Sequence, residues 1–232
     1  VCRADCAAAC RLAYSTQSTP STNIQQKNLT SERISDRLTK QSGGVLEPDK
    51  RTKILKAALE LFTEHGFRGT STAEIARSAG VATGTLFHHF RSKEVLIEEL
   101  YVDAKTALAE HICAKLDKSA NFRDQLRSLW YAFCCWGVEN ESQYRFFKHC
   151  DASPYISESV RNECAKHFAF ISDLFSEAAK VGAIKDVPVD LLMNLYWGLI
   201  EGFLRHLIQN PQAREDELLW EKVFSIGWDA IR

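Results

Sequence analysis

Proline is scarce in this 232-residue chain, with five in all, and alternating runs of β-branched residues between turn clusters are scarcer still. Both shortages exclude a sandwich or barrel of short strands as the organising plan. No apolar run approaches the roughly 18 residues that a membrane-spanning helix needs, so no membrane is expected as a partner. No secretory signal opens the chain, because the run from Ala7 to Ala9 is too short and Arg11 breaks it. The eight cysteines, at positions 2, 6, 10, 113, 134, 135, 150 and 164, include no CxxC pair. Free thiols in a reducing cytoplasm are therefore expected, and no metal site. Nucleophile elbow, phosphate loop and paired carboxylates with a positioned base are all missing, so neither catalysis nor a cofactor is expected.

What is present is helical. Apolar residues recur at spacings of three and four through most of the chain after residue 50, which predicts an all-α fold. The net charge of −1 conceals an asymmetry. Residues 50–93 carry eight Lys or Arg against three acids, whereas residues 94–232 carry fifteen against twenty-two. A basic block ahead of an acidic body points to a polyanionic partner for the first segment alone, although a basic face is also what plain solvated surface looks like.

Residues 1–47 are rich in Ser, Thr, Gln and Asn, carry Pro20 and the pair Gly43-Gly44, and show no periodicity. A disordered N-terminal extension is expected there, with Cys2, Cys6 and Cys10 incidental to it. A first residue Val1, with a well-formed domain starting only near Asp49, is also what an over-extended translation start would give. Residues 48–95 then read as one small domain and 96–232 as a larger one.

The small domain is punctuated by local signals. Ile54, Ala58, Leu61, Phe62 and His65 mark helix 1 over 50–65, with Gly66 following as its stop. Ser71 and Glu74 form a capping box for a helix over 72–79 that buries Ile75, Ala76 and Ala79. Gly80 supplies a left-handed turn and Val81 drops into the core. A short helix over 83–89 follows, with Leu86 and Phe90 as its buried seam, and Ser92 caps a long helix that begins Lys93-Glu94-Val95. Two short helices joined by a tight glycine turn, with a third packed across them and positive charge around them, make a helix-turn-helix.

The stretch ILKAALELFTEHGFRGTSTAEIARSAGVATGTLFHHFRSKEVLIEEL resembles the DNA-binding pattern of the tetracycline-repressor (TetR) family of bacterial transcription regulators almost position for position. The resemblance implies a three-helix DNA-binding head, a larger helical ligand-binding and dimerisation body, and no catalysis. Carried over residue by residue, it implies that Thr72 and Ala73 start the second helix at the phosphates. By the same comparison Thr83, Gly84, Thr85, Phe87 and His89 line the recognition helix, and Lys93 meets the DNA backbone. Two positions depart from the family pattern: Ala82 stands where a serine cap is usual, forfeiting about 1 kcal/mol unless Thr83 takes over. Phe87 stands where tyrosine is common, so a hydroxyl for a phosphate is missing.

The contact residues also make sense physically. Small residues near the start of a recognition helix let its backbone approach the duplex, and a threonine offers both a hydroxyl and a methyl to base edges. Gly84 costs its helix roughly 1 kcal/mol relative to alanine, which close approach to DNA would justify. His88 and His89 lie about 100° apart on a helix and cannot share one role; His89 is the better DNA candidate.

In the body, Phe122, Leu126, Leu129, Trp130, Phe133 and Gly137 mark a helix over 121–138, and Val160, Cys164, Phe168, Ile171 and Phe175 mark another stripe. A ligand pocket between these helices would draw on Trp130, Phe133, Cys134, Phe147, Phe168, Trp197 and Glu201. Such walls suit an apolar aromatic ligand, with Glu201 as a contact for a cation or, more simply, paired with Arg205 one turn along. The run LLMNLYWGLIEGFLRHLI is apolar nearly all round and demands cover on both sides. With Gly198 and Gly202 allowing close approach, and Trp220, Phe224 and Trp228 on the final helix, a four-helix homodimer interface is expected. The function expected is that of a ligand-responsive repressor: a dimer binds a palindromic double-stranded operator and an unidentified small-molecule effector releases it. A thiol- or metal-responsive regulator using Cys134-Cys135, His149-Cys150 and Cys164-x-x-His167 is the alternative.

Overall fold

Side-chain caps at Ser71, Ser92, Asn121 and Asp216 fix where four of the helices begin. In the computed structural model, which describes residues 49–151 and 153–232, ten α-helices and one 3₁₀ turn are found and no strand occurs among those residues. The extension over 1–47, with its three cysteines, lies outside the described residues. The helices are α1 (Lys50–Gly69), α2 (Thr72–Ser78), α3 (Thr83–His89), α4 (Lys93–Lys115) and α5 (Phe122–Glu139). They continue as α6 (Glu141–Asp151), α7 (Glu158–Lys166), α8 (Ala169–Lys180), α9 (Val189–Gln209) and, after the 3₁₀ turn Pro211–Arg214, α10 (Glu217–Ile231).

The first three helices assemble as their signals dictate. Both halves of the capping box form: the Ser71 Oγ accepts from the Glu74 N–H at 3.2 Å, and Glu74 Oε2 accepts from the Ser71 N–H at 2.8 Å. Gly80 adopts φ +67°, and the Val81 N–H donates to the Ala76 carbonyl while the Gly80 N–H donates to that of Arg77. That pair of bonds closes α2 with a Schellman turn, which a left-handed glycine makes possible. The first run of α1 stops at Gly66, whose φ of 70° and ψ of 172° leave helical geometry, and a short further turn carries α1 on to Gly69. The Thr70 hydroxyl, buried after that turn, donates to the Leu61 and Gly66 carbonyls. Phe62, Ile75, Leu86, Phe90 and Leu96 form the centre of the resulting core.

In the body the helix surrounded within the chain is α5. Every residue from Leu129 to Gly137 is buried, because α4, α6, α9 and α10 all pack on it. A Cβ built on Gly137 would stand 2.4 Å from Leu204 Cδ2, so only a glycine lets α9 cross α5 this closely. Tyr131 on α5 donates its hydroxyl to Glu221 on α10 at 2.7 Å, and Arg127 pairs with the same carboxylate. Two expectations change here. Trp220 and Phe224 are 0% exposed, packed on Tyr131, Phe203 and Trp130 within the chain, so they belong to the protomer core and present nothing to a partner. The stripe from Val160 to Phe175 is two helices, α7 and α8, because the backbone leaves helical geometry at Phe168 (φ −110°, ψ 6°).

Candidate nucleic-acid interface and internal cavity

Helix α3 stands on its apolar seam. Leu86 and Phe90 are wholly buried, which turns Thr83, Gly84, Phe87 and His88 to the outside and leaves Thr85 and His89 half-covered. A Cβ built on Gly84 meets nothing within 4 Å, so the fold itself does not require glycine there. Phe87 keeps 45% of its surface exposed, an apolar ring suited to a thymine methyl. Ala82 caps α3 without a side-chain bond, and Thr83 does not replace it. Ala73 is exposed and Thr72 half-covered at the start of α2. Of the two histidines, His88 is the more exposed, and His89 lies against it with ring centroids 5.5 Å apart.

The basic block is partly turned inward. Arg51 holds Glu99 of α4 at 2.6 Å and lies over the Phe90 ring. The Lys93 ammonium donates to the Phe67 carbonyl and sits 6.0 Å from the Phe62 ring centroid. Lys93 thus ties the start of α4 to the end of α1, a role its sequence context did not announce. Arg68, Arg77 and Arg91 are exposed around the helix-turn-helix.

Below this lies a seam of rings between α1 and α6. Phe67 packs edge-on against Phe62, Phe146 and Tyr155 at centroid distances of 5.3, 5.7 and 5.5 Å. The next residue on α6, Phe147, faces the other way: it stacks on Trp136 of α5 and receives the Lys105 ammonium 4.4 Å from its ring centroid. Adjacent phenylalanines therefore touch the head and the body's interior respectively.

That interior contains a cavity of about 200 Å³ among α4, α5, α8 and α9. Phe168 and Trp197 line it as expected, beside Leu108, Leu129, Ile171 and Phe175. The other five expected residues do not. Trp130 and Cys134 are wholly buried in the core, Phe133 packs its ring 4.5 Å from that of Trp197, and Phe147 lies behind Lys105. Glu201 pairs across helices with Lys148 at 3.1 Å, rather than along α9 with Arg205. The polar residues in the lining that sequence reasoning missed are Lys105 and Asn194. For Lys105 a signal existed: it follows Tyr101 by one turn on the buried stripe of α4, where Leu108 and Ile112 also lie.

The cysteines give no such constellation. Cys134, Cys135, Cys150 and Cys164 are buried, and burial pushes the Cys164 thiol up, away from the reactive thiolate. No group of three or more His, Cys, Asp or Glu side chains that could hold a metal ion occurs among the described residues.

On the outer side of α9, Leu191, Leu195, Gly198 and Gly202 follow one another at spacings of four, three and four and are all exposed. Leu195 is 58% exposed, and Leu218 and Ile226 on the adjacent α10 are 63% and 60%. Trp228, in contrast, is half-covered by Phe122.

Comparison with known proteins covers both regions. Residues 54–100 match the family model for bacterial regulatory proteins of the tetR family, and residues 101–232 match the tetracyclin repressor-like C-terminal domain. The HTH-type transcriptional regulator UidR of Escherichia coli (strain K12) is 28% identical over 177 residues, covering 71% of this chain and 85% of that protein. The HTH-type transcriptional repressor KstR2 of Mycobacterium tuberculosis (strain H37Rv) is 29% identical over 183 residues, covering 79% and 80%. The crystal structure of a tetR-family transcription regulator from Shewanella sp. PV-4 superposes with a TM-score of 0.73 at 34% identity, covering 79% of this chain and 98% of that one.

Proposed function

The chain belongs to the TetR family of bacterial transcriptional regulators, and from that premise we propose that it represses transcription by holding a palindromic operator as a homodimer until a small molecule enters its cavity. The observation that carries this reading is the outward face of α3, where an unobstructed Gly84 lies between Thr83 and Thr85 and beside an exposed Phe87. A glycine that the fold does not need, on a helix that its seam presents outward, makes sense when a duplex comes close. We assign DNA binding to residues 48–95, through Thr72, Ala73, Thr83, Gly84, Thr85, Phe87 and His89. Lys93 keeps two ammonium hydrogens for a phosphate beyond the one on Phe67. We assign ligand binding and dimerisation to 96–232, and no reaction to either. The setting of this activity is the cytoplasm, where the operator is.

The stripe of Leu191, Leu195, Gly198 and Gly202, with Leu218 and Ile226 beside it, is the face we assign to the second subunit, since exposed leucines in a row are stabilised by mutual burial. Two heads joined this way would read half-sites about one helical turn apart. Effector binding would reach the heads through α4, unbroken from Lys93 to Lys115, and through the Phe146–Phe147 pair of α6.

A gel shift on the DNA upstream of the protein's own gene, repeated across a salt series, tests the DNA reading. Binding that weakens steeply with salt and exceeds that of random duplex is the expected result; no shift, or one indifferent to salt, would overturn it. Sedimentation of the DNA-binding species as a monomer would remove the dimer.

A further inference from the structure

We propose that Phe87 reads a pyrimidine C5 methyl group whichever base carries it, so that 5-methylcytosine satisfies α3 as thymine does, and an operator with cytosine at that position gains affinity when the cytosine is methylated. The inference rests on the assignment of α3 to DNA above and adds a chemical signal to it.

Three observations carry it. Phe87 is 45% exposed, and among the described residues the other large apolar side chains so exposed all lie beyond residue 180. The head thus displays one large apolar group, and it stands on the helix assigned to the duplex. Second, the fold leaves that ring open. Leu86 and Phe90, wholly buried, hold α3 by its other side, and Gly84, three residues before Phe87, is exposed and brings no side chain up beside the ring. Third, a residue with no hydroxyl occupies the position: a phenyl ring has neither a conventional donor nor an acceptor to offer.

The last point fixes what can be read. In the major groove the four bases present nitrogen and oxygen functions, and thymine alone adds an apolar group, its C5 methyl. A ring that makes no hydrogen bond cannot tell the O4 of thymine from the N4 amino group of cytosine; it gains only from burying the methyl. Methylated cytosine carries the same carbon at the same place in the groove. The threonines of α3 also bear methyls, but each pairs its methyl with a hydroxyl, and Thr85 is half-covered. A tyrosine at position 87 would add a polar group to the contact and blur it, whereas phenylalanine leaves the methyl as the whole of the signal.

The test uses the full chain. Duplexes enriched from a random library supply its operator, and affinities are read by fluorescence anisotropy at low salt, where weakened variants still bind. Deoxyuridine replaces thymine at one position at a time in both half-sites, which removes a methyl and nothing else. One symmetric position should lose about four-fold per half-site, hence roughly fifteen-fold for the palindrome. With cytosine placed there, 5-methylcytosine should bind more tightly than cytosine by the same factor. Phe87→Ala should abolish both differences, and Phe87→Leu, still apolar, should keep part of each; circular dichroism melts check that both variants fold. An operator in which no thymine responds to loss of its methyl overturns the proposal and leaves the ring against sugar and phosphate. A methyl effect that survives in folded Phe87→Ala overturns it in favour of Thr83 or Thr85. A thymine effect without a 5-methylcytosine effect overturns it as well, because the base rather than the methyl is then what is read. A chain that enriches no duplex at all sinks the assignment of α3 to DNA, and the proposal falls with it.

Discussion

Gly84 on α3 and Gly137 on α5 are both glycines inside helices, and their surroundings are opposite. A methyl placed on Gly84 would meet nothing within 4 Å, whereas one on Gly137 would stand 2.4 Å from Leu204 Cδ2 and 2.9 Å from Cδ1. The same helix-weakening residue answers to a neighbour within the molecule in one region, and in the other to nothing in the fold, which the proposed DNA contact would explain. The contrast extends beyond glycine. Phe87 and Phe133 are both phenylalanines on helices, but the first is displayed and the second is sealed against Trp197. Under the proposed DNA contact, surface α3 is shaped by what it would touch; interior α5 is shaped by what already touches it.

The largest expected effect comes from the interior side of this contrast. Gly137→Val puts branched carbon where Leu204, itself wholly buried, has no space to retreat. Overpacking of this kind should cost about 3 kcal/mol, read as a fall in denaturant midpoint at unchanged slope. A variant as stable as the parent would mean that α9 can slide on α5, and the contrast would soften.

Lys93 is bound to the interior through Phe67 and is also proposed to meet phosphate, so it tests whether the two sides are separable. Lys93→Met keeps the stem over Phe62 and removes the ammonium. It should lose about 1 kcal/mol of stability with the Phe67 bond and lower the salt dependence of DNA binding by about one phosphate contact, alike on all sequences. An unchanged salt slope beside a lowered melting temperature would assign Lys93 wholly to the interior.

Gly84→Ala should move stability and binding in opposite directions. With open space around the new methyl, the free protein should gain up to about 1 kcal/mol from helix propensity, while the operator loses affinity because the backbone can no longer come as close. A variant both more stable and equally tight on DNA would leave Gly84 without a function on that surface.

These regions also differ in how readable they are. The box at Ser71 and Glu74, the turn at Gly80 and the seam of Leu86 and Phe90 each depend on residues within five positions of one another, and each stands where local chemistry puts it. The body depends on contacts across tens of residues. The apolar run on α9 demands cover on both sides, but hydrophobicity does not say which helix of its own chain supplies it; Gly137 lets α5 close on one face, and the other, with Leu195 and Gly198, stays exposed. Trp220 and Phe224 read as interface for the same reason, since large apolar side chains near a chain's end look alike whether they face their own core or a second subunit. Lys105 escaped notice because its partners Phe147 and Phe168 lie more than forty residues further along the chain.

The smallest effect falls on the surface side, at Glu74. Its carboxylate is held below the ordinary range by the hydrogen bonds of Ser71, first the backbone N–H and then the hydroxyl. A carboxylate whose value is lowered on folding contributes stability above its unfolded value and loses that contribution as pH falls through its folded one. Glu74→Gln keeps a hydrogen-bonding oxygen but not the charge, so the parent should melt slightly higher at neutral pH, and the margin should shrink as pH drops below the usual carboxylate range. The same substitution removes a negative charge from the start of α2, near where phosphates would lie. Binding to random duplex at low salt should therefore rise as stability falls, the mirror image of Gly84→Ala. A parent and variant whose melting difference is the same at both pH values would show that the charge of Glu74 does nothing for the helix. The oxygen that Gln shares with it would then be the whole of the cap.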